Sequence, residues 1–373
     1  MSQQPLHNVK VLDFSTLLPG PMCTLLLAEA GAEVIKVERP AGDEMRGYEP
    51  RLGTDSVNFA LLNRGKKSIA VDLKEPATRQ QIEKLIVDAD VLVEQFRPGV
   101  MDRLGLGYGE VSQINPRLIY CSITGYGQSG PDALVAAHDL NYQAKSGMLS
   151  LTADRDGVPL VPNSLTADLA GGAYPAVMNI LLALRQREQT GLGCQLDISM
   201  ADNLFTLMYW GLGNGWAADD WPKPAADLVT GASPRYQIYE TADRKFLACA
   251  PIEEKFWLKF LALIGAPELA SAMLSREAIT QVAHIMVSQP ITYWLNVFAG
   301  SDVCVNEVVN LKQAIRDPHF RARGLFNRTT TSFEGKRITA LPTPLCSGFL
   351  SSEKDAISPA LGQHTLEVLG KFK

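Results

Sequence analysis

Short apolar runs rich in β-branched residues alternate with helical patterns over the first third of the chain. The strand-like runs are VKVLDFS, AEVIKVERP, KSIAVDLK, DVLVEQF and RLIYCSITGYG. Between them lie PMCTLLLAEAG and PATRQQIEKLIVDA, whose apolar residues recur at helical spacing. Strands that alternate with helices in this way predict an α/β fold with a mainly parallel sheet.

A longer helical pattern, GGAYPAVMNILLALRQREQTG, follows this region. It is closed by Gly191 and Gly193, where a helix C-cap is expected. The next run, CQLDISMADNLF, predicts a strand followed by a helix. After about residue 215 the chain becomes rich in Asp, Pro, Gly and Ala, which predicts a crossover loop and a domain boundary.

A smaller α+β domain is predicted after that loop. In IYETADRKFLACAPIEEKFWLKFLALIG two strands flank the turn TADRK, and a helix with one apolar face follows them. The tail from CVNEVV onward has a helix, a proline-marked stop and a β-rich stretch that can return to the first domain. The sequence therefore predicts a large domain over 1–215, a crossover and small domain over 216–310, and a return segment over 311–373.

Composition narrows the class of protein. Of the 373 residues 46% are apolar and 20% are charged, and a formal net charge of −5 argues against nucleic acid as a partner. The six cysteines are scattered without a C-x-x-C pair, which argues against a metal site and favours reduced thiols in the cytoplasm. No secretory signal is visible at the N-terminus, and no window free of charges and glycine is long enough to span a membrane.

The first strand-to-helix turn lacks the pattern of a dinucleotide site. Its single glycine, Gly20, stands between Pro19 and Pro21, so the G-x-G-x-x-G spacing that lets a pyrophosphate approach the backbone is missing. The sequence therefore argues against a nicotinamide cofactor.

Basic residues recur near the predicted strand ends, at Arg39, Lys66, Lys67 and Arg103. Ligands of open α/β sheets bind at the carboxyl ends of the strands, where Arg and Lys can hold phosphates. Each of these residues taken alone is also compatible with an ordinary solvated surface charge. Together they favour a phosphorylated ligand.

A histidine and an aspartate stand side by side in AAHDLNYQAKSG. His138 is either a general base, since imidazole titrates near neutral pH, or a hydrogen-bonded loop histidine. Asp139 either orients a partner group or caps the helical turn that begins there.

Asp168 precedes the small residues that open the long apolar helix, in SLTADLAGGAYP. It is either a helix N-terminal residue that interacts with the helix dipole or a functional carboxylate. Gly171 and Gly172 would let a ligand approach the backbone, whose free N–H groups can hold a developing oxyanion. The residues alone leave both interpretations open.

Several blocks of the chain resemble a known family over essentially the whole length. The blocks are VLDFSTLLPGPMCTLLLAEAGAEVIKVERP, NRGKKSIAVDLK, DVLVEQFRPGVMDRLGL, RQREQTGLGCQLDISM and RDPHFRARGLF. They are similar to blocks of family III (CaiB/BaiF-type) CoA transferases and of the related α-methylacyl-CoA racemases. The resemblance implies a Rossmann-like large domain joined to a small domain, two chains interlocked as a homodimer, and coenzyme A as the carrier of an acyl-CoA thioester substrate. It also implies that Arg39, Lys67 and Arg103 hold the nucleotide part of coenzyme A.

The resemblance assigns catalytic roles as well. Asp168 aligns with the essential aspartate of both branches, which is a nucleophile in the transferases and a proton-exchanging group in the racemases. His138, in a racemase-like HD-x-NY block, and Glu253, in APIEEKFW, favour the racemase, as does the lack of a run of three or four glycines in the second half.

Inverting an acidic carbon needs one base on each face, and the resemblance gives these roles to His138 and Asp168. Backbone N–H groups near Asp168 would then receive the charge of the enolate. Glu253, from the same or the partner chain, would orient His138. The alternative is a transferase that moves CoA between carboxylic acids through an aspartyl anhydride.

Overall fold

The computed structural model describes residues 4–154 and 156–370 and divides the chain into two compact units. The first unit contains 1–146, 164–207 and 319–373, and the second contains 147–163 and 208–318. The second unit thus takes in an early segment, 147–163, that the sequence-based boundaries assign to the large domain.

The strands, in chain order, are β1 (Lys10–Asp13), β2 (Glu33–Glu38), β3 (Arg51–Leu52), β4 (Asp55–Ser56), β5 (Lys67–Ala70), β6 (Val91–Glu94), β7 (Ile119–Thr124), β8 (Gln195–Ser199), β9 (Gln237–Glu240), β10 (Phe246–Cys249), β11 (Val305–Glu307), β12 (Thr329–Thr331), β13 (Arg337–Thr339) and β14 (Asp355–Ile357).

The α-helices are α1 (Pro19–Glu29), α2 (Val57–Asn63), α3 (Pro76–Val87), α4 (Val100–Arg103), α5 (Tyr108–Ile114), α6 (Asp139–Lys145), α7 (Tyr174–Thr190), α8 (Met200–Asn203), α9 (Tyr209–Ala218), α10 (Glu254–Ile264), α11 (Arg276–Met286), α12 (Ile291–Phe298), α13 (Leu311–Ala314), α14 (Pro318–Ala322) and α15 (Thr365–Leu369). A π-helix, Ala167–Ala173, leads directly into α7.

The first unit is built on a six-stranded parallel sheet with strand order β5-β2-β1-β6-β7-β8. The predicted parallel sheet is confirmed, and its strands are apolar because helices cover both faces. One face packs against α3, α5 and α15, which contribute Ile82, Ile86, Val111 and Val368 to the core. The helices α1 and α7 contact β1, β2, β7 and β8.

The second unit has its own antiparallel sheet, in the order β11-β10-β9. The two predicted strands around TADRK and the helix after them are confirmed as β9, β10 and α10. Trp257 and Phe260 on the buried face of α10 stack with ring centroids 5.6 Å apart, and Phe298 of α12 extends the stack. This aromatic cluster forms the centre of the unit's core.

The long helix predicted over 171–191 is confirmed, and Gly191 ends it in the left-handed conformation of a C-cap. Together the π-helix and α7 make one helix, 167–190, that among the described residues is long and apolar enough to cross a membrane by length and composition alone. Core helices of soluble proteins meet the same two criteria.

Candidate active site

A cavity of about 310 Å³ opens at the carboxyl edge of the parallel sheet. Its walls come from the segments that follow β1, β6 and β7 and from the starts of α6, the π-helix and α8. The lining residues are Thr16, Leu17, Pro19, Gln95, Phe96, Arg97, Pro98, Ile123, Thr124, Gly125, Tyr126, Ala133, Val135, Ala136, Ala137, His138, Tyr142, Asp168 and Met200. Two of the residues singled out from the sequence, His138 and Asp168, therefore meet in one cavity, as the carboxyl-edge rule for α/β sheets leads one to expect.

Asp168 is half-buried in the first turn of the π-helix. Burial, and then the nearby negative charge of Asp139, raises the pKa of the Asp168 carboxyl to about 7. No ion pair among the described residues includes Asp168, so no basic side chain offsets these two effects. At neutral pH the carboxyl is therefore present in both its acid and its base form.

The π-helix depends on its two glycines for a close approach to α8 and α1. A Cβ on Gly171 would lie 2.3 Å from the Met200 backbone oxygen, and one on Gly172 would meet the Met200 side chain at 3.0 Å and Pro19 at 3.2 Å. The expectation that these glycines leave room for a ligand is therefore wrong, because neighbouring protein atoms fill that space.

Pro175 leaves one backbone carbonyl of the π-helix free for a side chain of α8. It has no N–H to bond the carbonyl four residues earlier, which is that of Gly171. The Asn203 Nδ2 atom of α8 donates to this oxygen at 2.7 Å and replaces the missing donor. The start of the helix is thus fixed in the wall of the cavity.

The backbone N–H groups expected to hold an oxyanion have acceptors already. The Asp168 N–H donates to the Asp139 Oδ1 atom at 3.0 Å, and the Leu169 N–H donates to the Leu165 carbonyl at 3.1 Å. These two groups are not free to receive the charge of an enolate. The expected oxyanion role is therefore contradicted at both positions.

His138 is exposed and occupies the N-cap position of α6. Its backbone N–H donates to the Asn141 Oδ1 atom at 3.0 Å, and its carbonyl accepts from the Asn141 N–H at 2.8 Å. The Tyr142 hydroxyl donates to the Ala137 carbonyl at 2.7 Å. The H-D-x-N-Y spacing thus fixes the backbone on both sides of His138, which lines the cavity.

Two tyrosines form the wall next to these groups. Tyr126 and Tyr142 meet edge to face with ring centroids 5.3 Å apart. Burial and the Asp168 charge raise the pKa of Tyr142 to about 12, so its hydroxyl stays protonated at neutral pH. A Cβ on Gly125 would lie 2.4 Å from the Tyr142 ring, so only glycine lets this ring reach its position.

Asp139 is 5% exposed and is the first residue of α6, whose N-cap position belongs to His138. Besides the Asp168 N–H, its carboxylate accepts a hydrogen bond of 2.6 Å from the Gln143 Nε2 atom. Both oxygens are therefore engaged, one within α6 and one with the π-helix.

The basic residues predicted to hold a nucleotide differ in position. Arg39 follows β2 and Arg103 ends α4, and both are exposed. Arg39 Nη2 lies 3.3 Å from the Glu44 Oε1 atom. Their role in binding coenzyme A stays a prediction.

Lys67 does not lie at the carboxyl edge, and that expectation is wrong. It is the first residue of β5 and so lies at the opposite, amino edge of the sheet. Its Nζ atom is 2.7 Å from a Glu33 carboxylate oxygen and 2.9 Å from one of Glu367, and these contacts raise its pKa. The neighbouring Lys66 is buried, and its Nζ atom lies 3.1 Å from the Asp13 Oδ2 atom.

Arg97 is a lining residue that the sequence interpretation missed. It lies shortly after β6, in QFRPG, and it is an exposed residue in the lining of the cavity that contains Asp168. The signal was available, because Arg97 is closer to the end of its strand than Arg103, the residue chosen from the same block.

Glu253 belongs to the second unit, whereas His138 and Asp168 belong to the first. It is exposed at the N-cap of α10, and its carbonyl accepts from the backbone N–H of Phe256 and of Trp257, both at 3.0 Å. Its neighbour Glu254 pairs with Arg235 at 3.0 Å. The orienting role of Glu253 stays a prediction.

Within the described ranges 4–154 and 156–370, no group of three or more His, Cys, Asp or Glu side chains is arranged to hold a metal ion.

The chain is similar to known proteins over nearly its whole length. The model of CoA-transferase family III matches residues 6–365. The chain is 35% identical to mouse α-methylacyl-CoA racemase over 373 residues, which covers 98% of this chain and 93% of the relative. It is 36% identical to the acetyl-CoA:oxalate CoA-transferase of Acetobacter aceti over 334 residues, covering 86% of this chain and 85% of the relative. A CaiB/BaiF family protein from Brucella suis superposes with a TM-score of 0.85 at 29% identity, with full coverage of both chains.

Proposed function

Because this chain belongs to CoA-transferase family III, we propose that it inverts the α-carbon of 2-methylacyl-CoA thioesters by proton transfer between two bases. Racemases and transferases of the family are similar to this chain at nearly equal identity. The choice between the two reactions therefore rests on the chemistry of the cavity.

The observation that carries the proposal is that His138 and an Asp168 of raised pKa line the same cavity. A racemase base must accept a proton in one direction of the reaction and donate one in the other. A carboxyl with a pKa of about 7 is populated in both states at neutral pH. A nucleophile for anhydride formation works only when ionised, and a raised pKa reduces that fraction.

In the proposed reaction one of the two groups removes the α-hydrogen while the other, protonated, delivers a proton to the opposite face. The bond from carbon to hydrogen breaks toward the base, and the electron pair passes into the thioester carbonyl as an enolate. Reprotonation from the other side restores the thioester with inverted configuration. No oxidant, metal or second substrate is needed.

Coenzyme A is the proposed carrier because it is the carrier named for both kinds of relative. Arg97 and Arg103 both follow β6, and their guanidinium groups have no ion-pair partner among the described residues. Such groups are suited to the phosphates of the nucleotide end. The two glutamates around Lys67 make it a weaker candidate for the same role.

We extend the proposal to a homodimer in the cytoplasm. All six cysteines are free thiols, and burial gives three of them, Cys23, Cys121 and Cys249, a structural rather than a reactive character. Glu253, from either chain of the dimer, would orient His138. Sedimentation at micromolar concentration tests the dimer directly, since a monomer would contradict it.

The reaction is tested by following the α-hydrogen of a 2-methylacyl-CoA in D₂O by NMR. We expect deuterium to enter at the α-carbon with loss of chirality, with no free acid required. His138→Ala should abolish inversion, because one face of the substrate then has no proton donor.

A CoA transferase is the alternative, since the chain is also 36% identical to the oxalate transferase. It would exchange no α-hydrogen but would transfer CoA to an added free acid, such as succinate, in a step that depends on Asp168. That pair of results would overturn the proposed racemase.

A further inference from the structure

Asp139 is a buried carboxylate that the proposed reaction leaves without a role. It is 5% exposed, and no ion pair among the described residues includes it. Its two oxygens accept instead from neutral donors, the Gln143 amide and the Asp168 backbone N–H. A buried charge without a counter-ion is costly, so its presence calls for a functional reason.

The position of Asp139 links the two candidate bases. It directly follows His138 at the start of α6, and its Oδ1 atom lies 3.0 Å from the backbone nitrogen of Asp168 at the start of the π-helix. The second hydrogen bond, from Gln143 one turn later in α6, fixes the carboxylate on its own helix at 2.6 Å. One side chain thus joins the two segments that carry His138 and Asp168.

Other ionisable groups lie on the elements packed against the π-helix. They are Cys23 and Glu29 on α1, Tyr120 and Cys121 on β7, Tyr142 and Lys145 on α6, Tyr174, Arg185, Arg187 and Glu188 on α7, Asp197 on β8, and Asp202 on α8. The basic groups among them are engaged elsewhere, since Lys145 pairs with Asp132, Arg185 with Glu188, and Arg187 with Asp90. Asp139 is the charged residue that acts on the Asp168 carboxyl.

We propose that Asp139 is a positioning residue of this site, which ties the Asp168 backbone to the helix that begins at His138 and places a second negative charge near the Asp168 carboxyl. The proposal rests on the proposed function for its kinetic meaning, but its structural content does not depend on which reaction the cavity performs. Asp139 itself is not among the residues that line the cavity.

The second charge has a direct consequence for the working pH. Ionising Asp168 next to Asp139 brings two negative charges together, which favours the protonated acid. Burial contributes to the same shift and would remain in a variant without the charge. Removing only the charge should therefore lower the pKa of Asp168 without returning it to the value of a free aspartate.

Asp139→Asn removes the charge of Asp139 but keeps an acceptor for the hydrogen bond from the Asp168 N–H. The amide has nearly the same shape, and its oxygen can still accept from the Asp168 N–H. We would label aspartate with ¹³C at the carboxyl carbon, identify the Asp168 signal by its loss in Asp168→Asn, and titrate it. We expect the midpoint to fall by about one pH unit in Asp139→Asn. Asp139→Ser serves as the uncharged variant if the asparagine form does not fold.

Asp202→Asn is the matched control, because Asp202 is an exposed carboxylate on α8, which also packs against the π-helix. We expect the Asp168 midpoint in Asp202→Asn to match the midpoint in the unmodified protein. An unchanged Asp168 midpoint in Asp139→Asn would overturn the electrostatic part of the proposal.

The hydrogen bond between the Asp168 N–H and Asp139 is tested by Asp139→Ala, which removes both the charge and the acceptor. At its own optimum pH we expect it to exchange the α-hydrogen about tenfold more slowly than Asp139→Asn, because the Asp168 backbone is no longer held. Equal exchange rates in Asp139→Ala and Asp139→Asn would overturn the positioning role of this hydrogen bond. If the unmodified protein exchanges no hydrogen at any pH, the proposed function fails, while the titration still decides the role of the Asp139 charge.

Discussion

Two aspartates in the first unit, the buried Asp13 and the half-buried Asp168, have opposite electrostatic surroundings. Asp13 ends β1, and its Oδ2 atom lies 3.1 Å from the Lys66 Nζ atom and 2.6 Å from the Thr24 hydroxyl. Burial alone would raise the pKa of Asp13, but Lys66 and Lys36 outweigh it and hold that pKa well below its usual range. Asp168 has no basic side chain beside it in the described part of the chain, and burial together with the nearby Asp139 carboxylate raises its pKa.

The comparison shows that the partner, rather than burial itself, decides what a buried carboxylate can do. Asp13 is ionised at neutral pH and joins β1 to α1 and to Lys66, which directly precedes β5, so its charge contributes to stability. Lys36, next to it in the network, bonds the Ser15 carbonyl at 2.7 Å and Asp43 at 3.1 Å. Asp43 in turn accepts from the backbone N–H of Leu17 at 3.3 Å, in the wall of the cavity. The fixed network thus supports the site in which Asp168 remains free to exchange a proton.

The largest expected effect is on activity, and it should come from substituting Asp168. Asp168→Asn should reduce α-hydrogen exchange by about 10⁴-fold, because an amide neither accepts nor donates the proton at this position. Its folding should be intact, since no ion pair is lost. The measurement is the NMR exchange rate in D₂O together with a circular dichroism spectrum. Retained exchange above one tenth of the original rate would show that Asp168 is not one of the two bases.

Asp13→Asn should act on stability instead. It leaves the buried Lys66 ammonium without its carboxylate, and breaking a buried pair in this way costs about 3–5 kcal/mol. The measurement is the free energy of unfolding in urea. Glu44→Gln, which breaks the exposed pair with Arg39, is the control and should change stability by less than about 1 kcal/mol. Equal effects of the two substitutions would argue against the distinction between the two aspartates.

The pH dependence of stability gives the smallest and most specific effect. The pKa of Asp168 is about 7 in the folded protein against a usual 3.8, so the folded state binds this proton more tightly. The free energy of unfolding should therefore fall as pH rises from about 4 to about 7, by about 1–2 kcal/mol after discounting for solvent at this half-buried group.

Asp168→Asn should lack this fall, so its stability relative to the unmodified protein should increase over the same pH range. Urea titrations at several pH values measure the difference, with Asp202→Asn as the control. A difference that stays constant with pH would contradict the raised pKa.

The sequence predicted the elements of the fold well because burial and backbone geometry leave a local signal. The runs VKVLDFS, AEVIKVERP and DVLVEQF became strands of one parallel sheet, and PATRQQIEKLIVDA became α3. The strand order β5-β2-β1-β6-β7-β8 did not follow from those runs, because it depends on which strands pair across the sheet.

The site was predicted in part, and its errors have physical reasons. His138 and Asp168 line one cavity as the resemblance implied. The error over Lys67 was avoidable, because the run KSIAVDLK begins with this residue and so puts it at the amino end of its strand. Gly65, at a φ of +75°, turns the chain just before that strand. The Gly171–Gly172 pair indicated close approach correctly but not the approaching group, which is Met200 rather than a ligand.

The π-helix over Ala167–Ala173 also bears on how related chains are compared. A π-turn holds one residue more than an α-turn, so the loss of a single residue from this segment would let it relax into an ordinary α-helix. Everything before the deletion would then rotate by about 100° relative to α7, and Asp168 would turn away from the cavity. A one-residue gap at this point in an aligned relative therefore predicts an aspartate that no longer lines the cavity, even where the residue itself is still present.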